Sequence, residues 1–93
     1  MKITRGAVAG TMESSDIMVT LQPAENGIEI DLTSTVEKEF GDEIREEIVK
    51  TLHNMGVEHA KISAVDKGAL NCTIRARVKT VVGRASEIRG DSL

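Results

Sequence analysis

The sequence predicts one small α+β domain of order β-β-β-α-β-α, with two antiparallel hairpin connections, then a β-α-β crossover, and both helices on one face of a four-stranded sheet. Three observations carry this. Ile17, Val19 and Leu21, then Ile28, Ile30 and Leu32, fall on single faces of extended segments. Val36, Phe40, Ile44, Ile48 and Leu52 recur every fourth residue, as on an amphipathic helix. And 93 residues, 40% apolar and 29% charged, leave room for one core and no second domain.

The first strand lies within residues 6–12, small and apolar without helical period, and the second starts at Asp16. Between them Glu13-Ser14-Ser15-Asp16 makes a turn with two hydroxyls at its tip. Ser-Ser suits a two-residue type I′ turn poorly, so the loop is expected to be wider. Pro23 and Asn26-Gly27 punctuate the next connection, since proline removes a ladder donor. The third strand alternates Ile28, Ile30 and Leu32 with Glu29 and Asp31, an acidic face left to solvent.

Ser34 with Glu37 has the form of a capping box opening the first helix, and Gly56 stands where a left-handed residue ends it. Gly41 costs about 1 kcal/mol relative to alanine and marks a place for a kink or a restart at Asp42. The outer face of this helix is acidic, a solvated surface or a docking face for basic partners. Ala60, Ile62 and Ala64 give the fourth strand, parallel to the third across the helix.

The segment from Leu70 reads two ways. Cys72, Ile74, Ala76 and Val78 alternate as in a strand, while Leu70, Ile74, Val78, Val81, Val82 and Ala85 form a helical stripe. Helix is the better reading, because the adjacent Val81-Val82 pair cannot share one strand face. The domain is expected to span residues 1–86, with 87–93 a polar, flexible tail.

Composition excludes several functions. A net charge of −3 and a single aromatic, Phe40, leave neither a phosphate-tracking surface nor a stacking platform for nucleic acid. No apolar run reaches the ~20 residues of a membrane span. One cysteine, Cys72, cannot pair within the chain, and no signal peptide opens it, so the expected compartment is the cytoplasm. On an apolar stripe, Cys72 reads as a small buried hydrophobe. His53 and His59 lack partners at metal-ligand spacing, and neither serine sits in a nucleophile elbow, so no active site is legible. Arg75, Arg77, Lys79 and Arg84 are the one local excess of positive charge, a solvated face or a contact for phosphates or a partner's acidic rim. Val81-Val82-Gly83-Arg84 faintly suggests the loop of a KH-type nucleic-acid module, yet Gly83-Arg84-Ala85-Ser86 lacks its second glycine. A plain structural subunit is a third possibility.

A serine in a polar turn is ordinarily a turn residue and nothing more. However, the run Ala7-Val8-Ala9-Gly10-Thr11-Met12-Glu13-Ser14-Ser15-Asp16, with Asp66-Lys67-Gly68-Ala69-Leu70-Asn71-Cys72 and Ile74-Arg75-Ala76-Arg77, resembles the gamma subunits of bacterial citrate lyase, the acyl carrier proteins of that enzyme. The resemblance covers residues 1–86. In that family the serine of a Gly-Thr-x-Glu-Ser-x-Asp motif bears a phosphodiester-linked 2'-(5''-phosphoribosyl)-3'-dephospho-CoA. By motif position that serine is Ser14, with Glu13, Ser15 and Asp16 as the surrounding recognition residues; Ser15 departs from the glycine common there. The resemblance implies a non-catalytic, cytoplasmic carrier of acetyl and citryl thioesters. Its implied partners are the alpha (CoA-transferase) and beta (citryl lyase) subunits and a prosthetic-group transferase, with no nucleic acid and no membrane. The carrier subunit of malonate decarboxylase, which uses the same group, is the nearest alternative.

Overall fold

Four strands and two helices follow one another as β1 (Ala7–Gly10), β2 (Ile17–Gln22), β3 (Ile28–Ser34), α1 (Glu37–Asn54), β4 (Ala60–Asp66) and α2 (Asn71–Ala85). This computed structural model describes residues 1–86, so the expected tail at 87–93 lies outside the described residues. The element order and the helical reading of the last segment hold.

The strands lie in the order β1-β2-β4-β3. β1 is antiparallel to β2, β2 is antiparallel to β4, and β4 is parallel to β3 across the expected β3-α1-β4 crossover. One expected connection is corrected: β2 and β3 do not form a hairpin, because β4 inserts between them. Burial explains the choice. The inward residues of β4 (Ala60, Ile62, Ala64 and Asp66) are almost wholly buried, which suits a central strand. β3 leaves Ile28 and Ile30 half-buried and exposes Glu29 and Asp31, which suits an edge.

Rows such as Leu21–Ile62–Ile30 and Val19–Ala64–Leu32 build the inner face. α2 packs on β1 and β2, α1 packs on β3, and the helices meet each other above the sheet. The core is aliphatic throughout: Ile17, Val19, Leu21, Ile48, Leu52, Ile74, Val78 and Val82 are fully buried. Each such side chain contributes roughly 1.5–3 kcal/mol relative to an exposed one.

α1 runs unbroken through Gly41, with no restart at Asp42; Glu37 and Arg45 join across that glycine at 2.7 Å. Nor does a capping box form. The hydroxyl of Ser34 accepts from the amide of Val36 (3.1 Å) and donates to Asp66 Oδ2 (2.9 Å), and the helix starts after Val36. The other end is as expected. Gly56 has φ +75°, its amide donates to His53 O, and that of Val57 donates to Leu52 O, which together make a Schellman motif.

Three positions of the apolar patterns face outward, among them Leu70, 70% exposed at the N-cap of α2. Phe40 is 49% exposed, because a four-residue spacing overshoots the helical turn by about 40° and rotates Phe40 some ~80° from Ile48. Cys72, expected to be buried, is exposed: two residues from Ile74, it points about 200° around α2. Gly83 and Arg84 are helical, so no KH-type loop stands there.

Truncating Leu52 to alanine is expected to cost about 2–5 kcal/mol in urea unfolding, and Phe40→Ala less than ~1 kcal/mol. Equal losses at the two positions would contradict the placement of the core.

Candidate functional site

The connection between β1 and β2 occupies residues 11–16, wider than a two-residue turn, as the Ser-Ser pair requires. Gly10 opens it at φ +93°, where a Cβ would lie 1.9 Å from Ile17 O, so no other residue fits. The amide of Asp16 donates to Glu13 O at 3.1 Å, closing a β-turn with Ser14 and Ser15 at its centre. Ser15 alone of the two has positive φ, +67°, which excludes type I′ and is the pattern of a type II turn. That position favours glycine sterically, so Ser15 sits there under strain.

Both serines are exposed, and neither hydroxyl makes a hydrogen bond within the described residues. Their backbone is nevertheless fixed. Ser15 N–H donates to Lys67 O and Lys67 N–H donates to Asp16 O, each at 2.8 Å, so the turn is zipped to the loop between β4 and α2. Asp16 supplies the second anchor. Arg77, on α2, donates from Nε to Oδ1 (3.0 Å) and from Nη2 to Oδ2 (2.7 Å). Thr11 Oγ1 donates to Oδ2 at 2.6 Å, and the amide of Ile17 donates to Oδ1 at 2.7 Å. Thr11 Oγ1 also accepts from the amide of Glu13, which leaves the Glu13 carboxylate exposed.

The Asp16 side chain is 13% exposed. Its carboxyl is held far below the usual carboxylate range, first by the hydrogen bonds from Arg77, then by that from Thr11, with the Ile17 amide adding to them against partial desolvation. The same bond raises the Arg77 pKa. Asp16 is thus an internal brace, and its charge is balanced where it stands. The basic excess of α2 is largely engaged within the chain as well: Arg75 meets Glu47 at 3.4 Å, and Arg84 Nη1 donates to Val8 O at 2.7 Å. In the Arg75 pair the guanidinium side is half-exposed and the Glu47 side chain only 12% exposed, with a longer contact than the Asp16 fork.

Beneath this loop, Asp66 is fully buried and satisfied. It accepts from Ser34 Oγ, from Gly68 N (3.1 Å) and from Ala69 N (3.0 Å). Thr11, Lys67 and Arg77 are the residues that sequence reading did not place at the turn. Arg77 lies 61 positions from Asp16, and nothing in local pattern links them. Among the described residues no cluster of three or more metal-ligating side chains occurs, and no helix is long and apolar enough to cross a membrane.

Because the Asp16 pKa is depressed, its contribution to stability is complete above the ordinary carboxylate value and disappears as pH falls through the lowered one. Asp16→Asn should therefore melt several degrees below the parent at neutral pH, with the gap closing in strong acid; a gap independent of pH overturns the clamp. Ser15→Gly should raise stability by up to about 1 kcal/mol, since relief of a left-handed residue (about 1–2 kcal/mol) exceeds the entropy cost of glycine (about 0.5–1 kcal/mol). A lower urea midpoint for that variant would contradict the assigned turn.

Comparison with known proteins places the chain as a whole. The family model described as Malonate decarboxylase delta subunit (MdcD) matches residues 4–85. A citrate lyase acyl carrier protein of Streptococcus mutans is 54% identical over 89 residues, 95% of this chain and 87% of that one. One from Halothermothrix orenii is 52% identical over 87 residues, 94% of this chain and 93% of that one. A chain in the crystal structure of a Pseudomonas malonate decarboxylase hetero-tetramer in complex with malonate aligns over 92% of this chain and 93% of its own, with a TM-score of 0.73. Its 18% identity speaks to the shared fold alone. With identities above half over nearly its whole length, the chain belongs to the citrate lyase acyl carrier protein family.

Proposed function

We propose that this chain is the non-catalytic carrier subunit of a citrate lyase, with Ser14 Oγ esterified to 2'-(5''-phosphoribosyl)-3'-dephospho-CoA. The observation that carries the reading is the state of Ser14: an exposed hydroxyl, without a hydrogen bond among the described residues, on a turn whose backbone is held from two sides. The residues present leave room for a phosphodiester there without attracting it. The Asp16 carboxylate would repel one, but Arg77 balances its charge, which leaves Glu13 as the turn's one exposed carboxylate. When bound, the group supplies a terminal thiol on a long arm, able to hold an acyl chain as a thioester.

The chain itself anchors and presents. A fixed turn gives the attachment point one position, and a flexible tether from it gives each partner site an effective concentration toward the millimolar range. In this reading the partners are the alpha (CoA-transferase) and beta (citryl lyase) subunits, and the cytoplasm is the compartment. The attaching transferase reads Glu13 and the backbone of Ser15 at the turn, while Asp16 serves recognition through the shape it imposes. The carrier subunit of malonate decarboxylase is a second reading, favoured by the family model over residues 4–85. The relatives more than half identical to this chain are citrate lyase carriers, and they weigh against it.

Intact mass and peptide mapping of the chain purified from its native host test the assignment. The added mass is expected on the peptide containing Ser14, absent from Ser14→Ala and retained by Ser15→Gly. An unmodified chain, or a group on Ser15, would overturn it.

A further inference from the structure

The loop that holds the serine turn also walls a cavity. Residues 67–70 run from the Lys67 backbone, bonded to Ser15 and Asp16, directly into an open apolar hollow of about 460 Å³ between that loop and the start of α1. Val36, Phe40, Ile44, Ala69 and Leu70 line it. Ile17, Asp66 and Ser34 are register partners at one end of the sheet, so the hollow and the turn open at the same end of the molecule.

Two of its walls are exposed apolar side chains, like Val8 and Met12 elsewhere on the chain. Phe40 is 49% and Leu70 is 70% exposed, apolar surface that the core does not use. Beside them Asn71 is exposed, and its side-chain amide makes no hydrogen bond among the described residues. Largely apolar walls of this volume, with the amide of Asn71 and the exposed carboxylate of Glu43 beside them, match a small-molecule site, in which apolar walls supply contact and a few polar groups fix orientation.

We propose that this hollow is a resting site for the pantetheine portion of the arm attached at Ser14. The inference rests on the assignment of Ser14 made above. The occupant follows from tethering and chemistry. The Cα of Leu70 is three residues from that of Lys67, no more than about 11 Å at full extension, so a long arm from the neighbouring turn reaches the cavity without leaving the molecule. The arm carries a geminal dimethyl group, suited to Phe40 and Leu70, and two amides, suited to Asn71. Docked there, the thiol end is held against the protein between visits to partner subunits, and undocking is the step that a partner must favour.

The test uses the full-length loaded chain carrying Cys72→Ser, which leaves the arm's thiol as the one thiol present. Its alkylation by iodoacetamide should be at least about twofold slower than that of free pantetheine, the result of docking at least half the time. Leu70→Asp, at a position too exposed to disturb the fold, should restore the free rate. In parallel, loading should shift the methyl resonances of Ile44 and Leu70 relative to unloaded Ser14→Ala. Equal alkylation rates with shifts confined to residues 11–16 would overturn the resting site and leave the attachment intact. A chain with no added mass at Ser14 would remove both.

Discussion

The site depends on a fork of two hydrogen bonds from Arg77 to Asp16. A turn exposed enough to be modified has little apolar surface with which to hold itself in place, and Ser15 in the left-handed region works against it. A charged bidentate pair is among the stronger short contacts available at a half-buried position. It ties residues 11–16 to α2, while the backbone zipper to Lys67 ties them to the end of β4. The serine hydroxyls can then face solvent without the backbone beneath them being free.

Sheet order makes that fork possible. With β4 inserted between β2 and β3, the end of β4, the start of β2 and the N-terminal ends of both helices gather at one end of the molecule. A β2–β3 hairpin would have moved β4, and the loop leading into α2, away from the turn. The aliphatic core sets this frame without aromatic anchors, and its inward rows leave the opposite sheet face to polar and half-exposed side chains. The other end is tied down by backbone and side chain together: Ile3 bridges to Ser86, the amide of Thr4 donates to Ala85 O at 2.8 Å, and Arg5 Nε donates to Arg84 O at 2.9 Å.

Periodicity made β2, β3, α1 and β4 legible, since each buries one face against the same core, while α2 fitted two periods and was settled by the adjacent Val81-Val82 pair. Where it misled, the cause was rotation: Phe40 and Cys72 looked like stripe members, but a helix of 3.6 residues per turn carries both to the outside. The β2–β4 pairing and the Asp16–Arg77 pair were not legible, because both are contacts between distant parts of the chain. A signal did exist in the three stretches that carry the family resemblance. They converge in space: residues 7–16 hold the turn, 66–72 support it, and Arg77 in the third clamps it. Ser34 shows the opposite case, a local cap pattern overridden because its hydroxyl completes the shell of buried Asp66.

Amide hydrogen exchange at the turn, read residue by residue, addresses the central claim most directly, that an exposed serine is displayed on an immobilised backbone. The amides of Ser15 and Lys67 should exchange slowly, in step with that of Ile17, while Ser14 exchanges fast because it has no acceptor. Exchange of Ser15 and Lys67 at the rate of an unstructured peptide, with the strands protected, would contradict the account.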